Sequence, residues 1–471
     1  MKNIPKIQDA DLKGKLVLVR VDHNVVKKGK IKDTYRIDAS LETIEYIFSQ
    51  GGKPIIMTHV GRPRNKKTGE IEISEKTSVK PIVDYLNKKM NKNFQTPEIM
   101  NADKTGLANL DGVISLHKKL TAGEIDGIYL PNTRWFKGEE SGDDETEKFG
   151  KELASLADIY INDAFGSWQP HASTIEPTKH LPSYAGFLMQ KEIENLDRVL
   201  NPERPLLAVV AGSKFDTKIG PLTALLNKAD YLVLGGVIYN AYLAAKYGFK
   251  IKGIEEDDVK AAENFLKQTG KYPEKIVELP YIIESDILEE KIEKKYRVHN
   301  IYTTDKGNNF NYILDISPKS FATAAVRDIF NNSKTIFVNA VMGFTPNFAE
   351  GTIALNTLIN ENKEAAKLFG GGDTLQDFKT FLPEIYNKAL QDDKYYFFTG
   401  GGTILKAIEA GSPFGLEPIK AILNCTLTEK RAGYERRNGE DRRKEQKPVK
   451  FDRRRGGDRR SGIDRRQSNK N

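Results

Sequence analysis

Two glycine-rich stretches and a pair of lysines in the second half of the chain could hold a phosphorylated ligand. "GGGDT" (Gly370–Thr374) and "TGGGT" (Thr399–Thr403) each follow an apolar run, and Lys214 and Lys218 follow another. Glycine lets the backbone approach a ligand closely, and exposed amides at a helix start attract anions. The lysine spacing predicts that both ammonium groups lie one helical turn apart and face the same phosphates.

The first stretch also carries two polar residues that suit a nucleotide bound with a metal ion. Asp373 could bind a hydrated Mg²⁺, and Thr374 could bind a phosphate oxygen. The chain has no GxxxxGK[ST] loop, HRD-like loop, nucleophile elbow or HExxH motif. A single glycine run often merely turns the chain, but several strand ends of this kind, with paired lysines, favour a nucleotide site.

The first half of the chain places cationic and polar side chains after its apolar runs. Taken alone, an arginine beside a loop is usually a solvated charge, and a lone histidine is usually a core residue. Together they would form a concave cationic site for a small acid bearing phosphate, because arginine binds carboxylate and phosphate through paired hydrogen bonds. The residues concerned are Asp22, His23, Asn24, Arg36, His59, Arg62, Arg134, Asn162 and Asp163.

The two sites together predict transfer of a phosphoryl group between a nucleotide and an anionic acid. Such a transfer depends on positioning and charge stabilisation rather than on acid-base groups. A carboxylate acceptor is already ionised at neutral pH, so it needs no general base.

Short apolar runs alternate with helix-length amphipathic segments, which is typical of parallel strands with crossover helices. Four strands are expected before Pro182 and about five after Arg204, including one in "KIVELPY". We predict an α/β fold of two doubly wound, Rossmann-like parallel-sheet domains joined by a hinge helix that flexes. The expected domains are 1–185, which binds the acid, and 186–404, which binds the nucleotide, with 405–428 returning to the first.

The end of the chain departs from this pattern. From Lys430 onward 17 Lys and Arg oppose 7 Asp and Glu, so this segment accounts for the net charge of +8 and the remainder is nearly neutral. Residues 429–471 repeat an Arg-Arg theme without apolar periodicity, and we predict a disordered basic tail. Residues 284–312, first charged and then rich in asparagine, are expected to form a surface hairpin or loop.

Composition indicates a soluble globular protein of a reducing compartment. The chain has 471 residues, of which 39% are hydrophobic, and no segment approaches the roughly 18 uncharged apolar residues that span a bilayer. Cys425 is the single cysteine, which excludes an internal disulfide and predicts a buried structural thiol. We expect a cytoplasmic monomer that binds neither membrane nor nucleic acid through its body.

The motifs, taken in order, resemble those of the phosphoglycerate kinase family over roughly residues 7–428. They are "VRVDHNV", "MTHVGRP", "NTRWF", "NDAFG…HAST", "LPSYAGFLMQKEI", "SKFDTKIG", "VNAVMG", "GGGDT" and "TGGGT". The resemblance implies a two-domain, hinge-bending glycolytic kinase. Such an enzyme interconverts 1,3-bisphosphoglycerate plus ADP with 3-phosphoglycerate plus ATP, using Mg²⁺.

The resemblance also implies a role for each candidate residue. Lys214, Arg36 and Gly401 would act on the phosphoryl group in flight. Asp373 would bind the metal. The phosphoglycerate would be held by Asp22, Asn24, Arg36, His59, Arg62 and Arg134, and the nucleotide by Lys218, Gly371, Gly372, Asp373 and Thr374.

Four departures from the family pattern affect the ligand contacts. The loop "NDAFGSWQPHAST" lacks an arginine that grips the substrate, and Gln169 cannot supply its charge. "NAVMGFTPN" lacks a glutamate that contacts the ribose, Ser317 replaces a glycine beside the nucleotide, and His23 replaces a phenylalanine. Losing one charged partner costs about 1.5–3 kcal/mol, roughly ten- to a hundredfold in binding.

Two alternatives to an active kinase remain at this point. The altered contacts fit a nucleotide-binding regulatory or scaffold protein with weakened catalysis. Alternatively, the tail is a basic arm that attracts RNA, DNA or an acidic membrane, although its interspersed acids dilute the field and its two aromatic residues form no interleaved pattern for base stacking.

Removal of the tail tests its contribution directly. We expect a chain lacking residues 430–471 to keep the turnover and the melting temperature of the full chain, because the segment has no apolar pattern with which to pack. Steady-state assays and thermal melts of both chains check this. A large loss of either quantity would mean that the tail docks on the body.

Overall fold

The computed structural model describes residues 4–99, 102–215, 218–270 and 272–427; the predicted tail lies outside them. The apolar runs of the first half form a six-stranded parallel sheet in the order β10-β9-β1-β4-β8-β5. The strands of this half are β1 (Leu16–Val21), β2 (Val26–Lys27), β3 (Lys30–Ile31), β4 (Lys53–Met57), β5 (Phe94–Gln95), β6 (Ala102–Asp103), β7 (Gly106–Leu107), β8 (Gly127–Tyr129), β9 (Ile159–Asp163) and β10 (Ser183–Ala185). Its helices are α1 (Tyr35–Ala39), α2 (Leu41–Ser49), α3 (Lys80–Met90), α4 (Ile114–Ala122), α5 (Asp144–Ser155) and α6 (Ala172–Ile175).

A single helix, α7 (Phe187–Leu200), leads to a second parallel sheet in the order β12-β11-β18-β19-β20. The strands of this half are β11 (Leu206–Gly212), β12 (Tyr231–Gly235), β13 (Lys250–Ile251), β14 (Tyr281–Ser285), β15 (Tyr296–Asn300), β16 (Asn309–Phe310), β17 (Tyr312–Ile316), β18 (Thr335–Asn339), β19 (Ala366–Gly370) and β20 (Tyr395–Phe398). Its helices are α8 (Ile219–Lys228), α9 (Gly236–Tyr247), α10 (Glu256–Thr269), α11 (Pro318–Phe321), α12 (Ala324–Asn332), α13 (Glu350–Glu361), α14 (Gly372–Phe381), α15 (Pro383–Ala389), α16 (Gly401–Glu409) and α17 (Glu417–Leu423). The predicted α/β fold with two parallel sheets is thus confirmed.

Both sheets are covered on their two faces, which explains why their strands read as continuous apolar runs. In β1, Val17, Val19 and Val21 belong to one core cluster, whereas Leu18 belongs to the cluster on the opposite face. This is the expected arrangement when successive side chains point to opposite faces and helices cover each face. The carboxyl ends of neighbouring strands consequently meet along one edge of each sheet.

Of three local predictions, the strand in "KIVELPY" is wrong, whereas the surface hairpin and the buried thiol are confirmed. "KIVELPY" does not form the predicted strand: Ile276 makes one isolated bridge to Leu232, and β14 begins only at Tyr281. Residues 284–312 contain an antiparallel hairpin, because β15 pairs with β14. Cys425 is buried, and its thiol donates to the carbonyl of Leu181 (3.3 Å). No helix in the described ranges is both long and apolar enough to cross a membrane.

Two buried carboxyl groups hold helix α7 between the sheets. Glu192 accepts hydrogen bonds from the backbone N–H (2.8 Å) and the hydroxyl (2.9 Å) of Thr399, at the end of β20. Asp163, at the end of β9, accepts one from the N–H of Met189 (3.1 Å). Burial raises the pKa of Glu192 to about 8 and that of Asp163 to about 7. Both groups therefore take up protons on folding near neutral pH.

The raised pKa of Glu192 predicts how stability varies with pH. An unfolded glutamate titrates near ~4.3, so between that pH and about 8 the folded chain binds a proton that the unfolded chain lacks. The free energy of unfolding therefore falls as pH rises through this window. We expect Glu192→Gln to flatten this fall by up to about 1.4 kcal/mol per pH unit.

Urea unfolding at pH 5, 6, 7 and 8 measures the two slopes. Glu194→Gln is the matched control, because Glu194 lies on the same helix and is exposed. An unchanged slope in Glu192→Gln would contradict a raised pKa at this position.

Candidate functional site

The acid-binding candidates lie at the carboxyl ends of adjacent strands of the first sheet. Asp22 and Asn24 follow β1, and His59 and Arg62 follow β4. Arg134 lies in the one-turn helix Thr133–Trp135 after β8. Because β1, β4 and β8 are neighbours, the strand ends bring these residues together as the sequence predicted.

Hydrogen bonds connect Asp22, Asn24, Arg36 and Arg134 into one network. Arg36, from α1, places Nη1 at 3.3 Å from Oδ2 of the buried Asp22. The N–H of Gly61 donates to Oδ1 of Asn24 (2.8 Å), and its carbonyl accepts from Nη1 of Arg134 (2.6 Å). Nε of Arg134 lies 2.9 Å from Oε1 of Glu140. Asn24 and Arg134 are thus fixed relative to one another through a single glycine.

Arg20, a buried arginine that was not predicted from the sequence, supports this network. Arg20 lies inside β1 and is fully buried. Its Nη2 lies 3.0 Å from Nδ1 of His59, and its Nε donates to Oγ of Ser173 (2.8 Å), which in turn donates to Oε1 of Glu139 (2.6 Å). Burial and the charge of Arg20 lower the pKa of His59 well below its usual value, so the imidazole of His59 is neutral. The sequence does carry one signal for Arg20, because it is a charged residue within an otherwise apolar run.

His23 does not contribute to the acid-binding network, although it stands among the strand-end residues. Its ring is fully buried, with Nδ1 at 2.9 Å from the hydroxyl of Tyr129 and Nε2 at 2.8 Å from Oγ of Ser40. Burial lowers its pKa to about 3. His23 is therefore a neutral core residue whose two ring nitrogens are both hydrogen-bonded.

The paired lysines both precede α8. Lys214 lies in the connection after β11, and α8 begins only at Ile219, so the two lysines are not one turn apart on a helix as predicted. Nζ of Lys218 nevertheless donates to Oδ1 of Asn339 (3.0 Å), and its pKa is lowered by burial. Asn339, at the end of β18, is a further residue that the sequence reading did not single out. Lys214 is half exposed, with Nζ at 3.5 Å from Oε2 of Glu255.

The two glycine stretches form adjacent helix starts. Gly371 has φ of +117°, a conformation that side chains rarely adopt, and a Cβ on Gly401 would lie 2.5 Å from Cα of Gly371. Only glycine therefore allows the starts of α14 and α16 to approach so closely. Asp373 is exposed in the first turn of α14, whereas Thr374 is buried. The free amides of both helix starts create a site that favours anions.

One cavity of about 750 Å³ unites the catalytic and nucleotide candidates. Arg36 of the first half lines it together with residues of the second half, which are Lys214, Lys218, Gly371, Gly372, Asp373, Thr374 and Gly401. A second cavity of about 400 Å³ is lined by Asn24 and Arg36 on one side and by Gly372 and Lys379 on the other. Asp22, His59, Arg62 and Arg134 line neither of these two cavities in the described part of the chain, but Asp22 contacts Arg36 directly.

Contacts between the two halves keep these cavities between the sheets. The hydroxyl of Tyr35, beside Arg36, donates to the carbonyl of Phe397 in β20. Lys379, on α14, forms an ion pair with Asp33. The helix that carries Asp373 is thus tied to the segment that carries Arg36.

The departures from the family pattern have distinct structural outcomes. Gln169 is exposed and its Oε1 lies 3.0 Å from Nε2 of His171. Ser317 is buried as the residue that caps α11, accepting from the N–H of Lys319. Phe344 and Thr345, in the shortened loop after β18, line the larger cavity, and Phe344 is 48% exposed there. The larger cavity therefore presents an aromatic ring from this loop.

Comparison with known proteins gives the relationship of this chain. The model of the family described as "Phosphoglycerate kinase" matches residues 7–411. A curated phosphoglycerate kinase of Wolbachia sp. subsp. Brugia malayi is 34% identical over 434 residues, which is 90% of this chain and 100% of that protein. One of Dictyoglomus turgidum is 34% identical over 417 residues, covering 87% of this chain and 96% of that protein.

Solved structures agree with the sequence relatives. The structure of phosphoglycerate kinase from Coxiella burnetii aligns with a TM-score of 0.68 at 28% identity, covering 89% of this chain and 99% of that one. That of the enzyme from Pyrococcus horikoshii aligns with a TM-score of 0.70 at 22% identity, covering 91% and 100%, and supports the fold alone. The chain belongs to the phosphoglycerate kinase family, whose members are phosphotransferases with a carboxyl group as acceptor and ATP or ADP as substrate.

Proposed function

We propose that this chain catalyses the reversible transfer of a phosphoryl group from 1,3-bisphosphoglycerate to ADP, giving 3-phosphoglycerate and ATP. The observation that carries the proposal is the larger cavity, in which Arg36 from the first half faces Lys214, Lys218 and the glycine turns of the second half. In the forward direction the bond between phosphorus and the acyl oxygen breaks, and a bond to an oxygen of the ADP β-phosphate forms. The carboxylate leaves with the electron pair of the broken bond, so the reaction needs no proton transfer.

The first sheet holds the phosphoglycerate in this proposal. Arg36, Arg62 and Arg134 bind its carboxylate and phosphate, because guanidinium groups match both anions geometrically. Asp22, Asn24 and the neutral His59 accept or donate hydrogen bonds to the acid. Burial, together with the charge of Arg20, lowers the pKa of His59 and keeps it neutral. The contact of 3.0 Å between Nη2 of Arg20 and Nδ1 of His59 orients the ring.

The second sheet holds the nucleotide. Lys218, Gly371, Gly372, Asp373 and Thr374 bind its phosphates at the start of α14. Lys214, Arg36 and the N–H of Gly401 surround the transferring group and stabilise the negative charge on its oxygens. Removing the side chain of Lys214 or Arg36, or displacing the N–H of Gly401, should therefore lower kcat more than it lowers nucleotide affinity.

The donor set suits a magnesium ion that arrives with the nucleotide. Mg²⁺ is commonly bound by one or two carboxylates together with phosphate oxygens and water. Asp373 presents an exposed carboxylate on the cavity wall, and no cluster of three or more His, Cys, Asp or Glu suited to a metal occurs among the described residues. Asp373 would hold the ion, which when bound neutralises phosphate charge.

A coupled turnover assay tests the proposal. The purified chain should form ATP from 1,3-bisphosphoglycerate and ADP, with a raised KM for the acid because Gln169 brings no charge. Absence of turnover, alongside ADP binding by calorimetry, would instead support the nucleotide-binding regulatory or scaffold function.

We further propose that the chain acts as a cytoplasmic monomer, since a buried free thiol such as Cys425 suits a reducing compartment. Sedimentation at assay concentrations measures its mass.

A further inference from the structure

The loop after β9 crosses from the first sheet to the second. A Cβ built on Gly400 would lie 2.5 Å from Cα of Gly166, so the two backbones are in direct contact. Two residues further along this loop, Nε1 of Trp168 lies 3.8 Å from the position of a Cβ on Gly402. The side chain of Trp168 also packs, partly buried, against the core cluster that contains the strands of the second sheet.

This loop lies between the two sets of residues that act on the phosphoryl group in the proposed function. On one side, Gly166 contacts Asp22, because a Cβ on that glycine would lie 2.1 Å from Oδ2, and Asp22 in turn pairs with Arg36. On the other side, Gly401 and Gly402 form the first turn of α16 and line the larger cavity. The backbone contact at Gly166 thus sets the distance between the acid side and the amides of α16.

An aromatic side chain is well suited to fix such a distance. An indole ring has two rotatable bonds and a large apolar surface, so it loses little conformational entropy when it packs. A Cβ at Gly402 would be in ordinary van der Waals contact with the ring, so the indole lies beside the helix start. Misplacement of a reacting group by about 1 Å can cost up to about a hundredfold in rate.

We infer that Trp168 is a positioning residue for phosphoryl transfer: it joins the loop after β9 to the first turn of α16 and holds the amide of Gly401 at the transferring group. The inference rests on the proposed function of this cavity. Trp168 lies beside the glycine turn and lines neither of the two described cavities, so its loss should lower kcat while both KM values stay nearly constant.

Two variants and a control measure this effect. We expect Trp168→Ala to lower kcat about ten- to a hundredfold, with each KM within about twofold. Trp168→Phe should recover most of the rate, because the contact is made by an aromatic surface. Tyr302→Ala is the control, since Tyr302 is 60% exposed and lies outside both cavities. Unchanged kcat in Trp168→Ala, or a rise in KM instead, would overturn the inference.

Fluorescence gives a readout that does not depend on turnover. The chain has two tryptophans. Trp135 is buried, and its Nε1 donates to Oγ1 of Thr77 (3.0 Å). Acrylamide therefore quenches mainly the fluorescence of Trp168. The Trp168→Phe variant assigns the quenchable signal. We expect 3-phosphoglycerate and ADP together to reduce quenching more than either does alone, because the indole contact spans the two sheets.

The two measurements separate this inference from the proposed function. Ligand-dependent shielding of Trp168 in a chain without turnover would refute the proposed reaction and leave the contact intact. Normal turnover in the unchanged chain, with quenching that is identical with and without both ligands, would refute the positioning role and leave the reaction intact.

Discussion

Replacing Lys214 with alanine should lower kcat by about 10²–10³-fold, since this is the usual cost of removing one donor that stabilises transition-state charge. Lys214 lines the larger cavity on the side of the second sheet, opposite Arg36. The charge on the phosphoryl oxygens is greatest during transfer, so the loss should appear in kcat. ADP affinity should change little, because the phosphate contacts proposed for Lys218 and the amides of α14 remain.

The fold should survive this substitution. The Lys214 side chain is 54% exposed and its ion pair with Glu255 is at the surface, so the free energy of unfolding should change by no more than about 0.5 kcal/mol. Coupled assays, ADP calorimetry and thermal melts are compared with those of Lys260→Ala, which removes an exposed lysine from α10. Turnover of Lys214→Ala within threefold of the unchanged chain would exclude a catalytic role for this ammonium group.

The strand ends were predictable from the sequence because local pattern decides them. Buried parallel strands read as apolar runs, and the first polar residue after each run lies at the ligand-binding edge. Asp22, His59 and Asp373 were identified by this rule, and the structure places all three at such edges. The same rule could not distinguish His23 from its neighbours, since one residue of offset turns a side chain from the edge into the core.

Other features depend on residues that are far apart in the chain and leave no local pattern. Tyr35 contacts Phe397, Asp33 pairs with Lys379, and Glu192 binds Thr399. Each contact joins segments separated by about 200 residues or more, and each decides how the two sheets meet. Arg20 was missed for a different reason: a charge inside a buried strand is costly, and only the partners found in the fold make it acceptable.

Replacing Arg36 with alanine should affect both catalysis and stability. Arg36 lines both cavities and pairs with Asp22, which is 3% exposed. Its loss removes a cation from the transferring group, for which we expect a fall of about 10²-fold or more in kcat. It also leaves a buried carboxylate without its partner, which should cost about 1–3 kcal/mol of unfolding free energy.

The double variant Arg36→Ala/Asp22→Asn distinguishes these two effects. Asparagine removes the unpaired charge, so urea unfolding should show that the double variant regains most of the stability lost in Arg36→Ala. The assay then compares the double variant with Asp22→Asn alone. If Arg36 acts on the phosphoryl group, the double variant remains at least tenfold slower, because it still lacks the guanidinium that lines the cavity opposite Lys214. Equal rates would show instead that Arg36 serves only to hold Asp22, and the catalysis would then rest on Lys214 and the amides of α16.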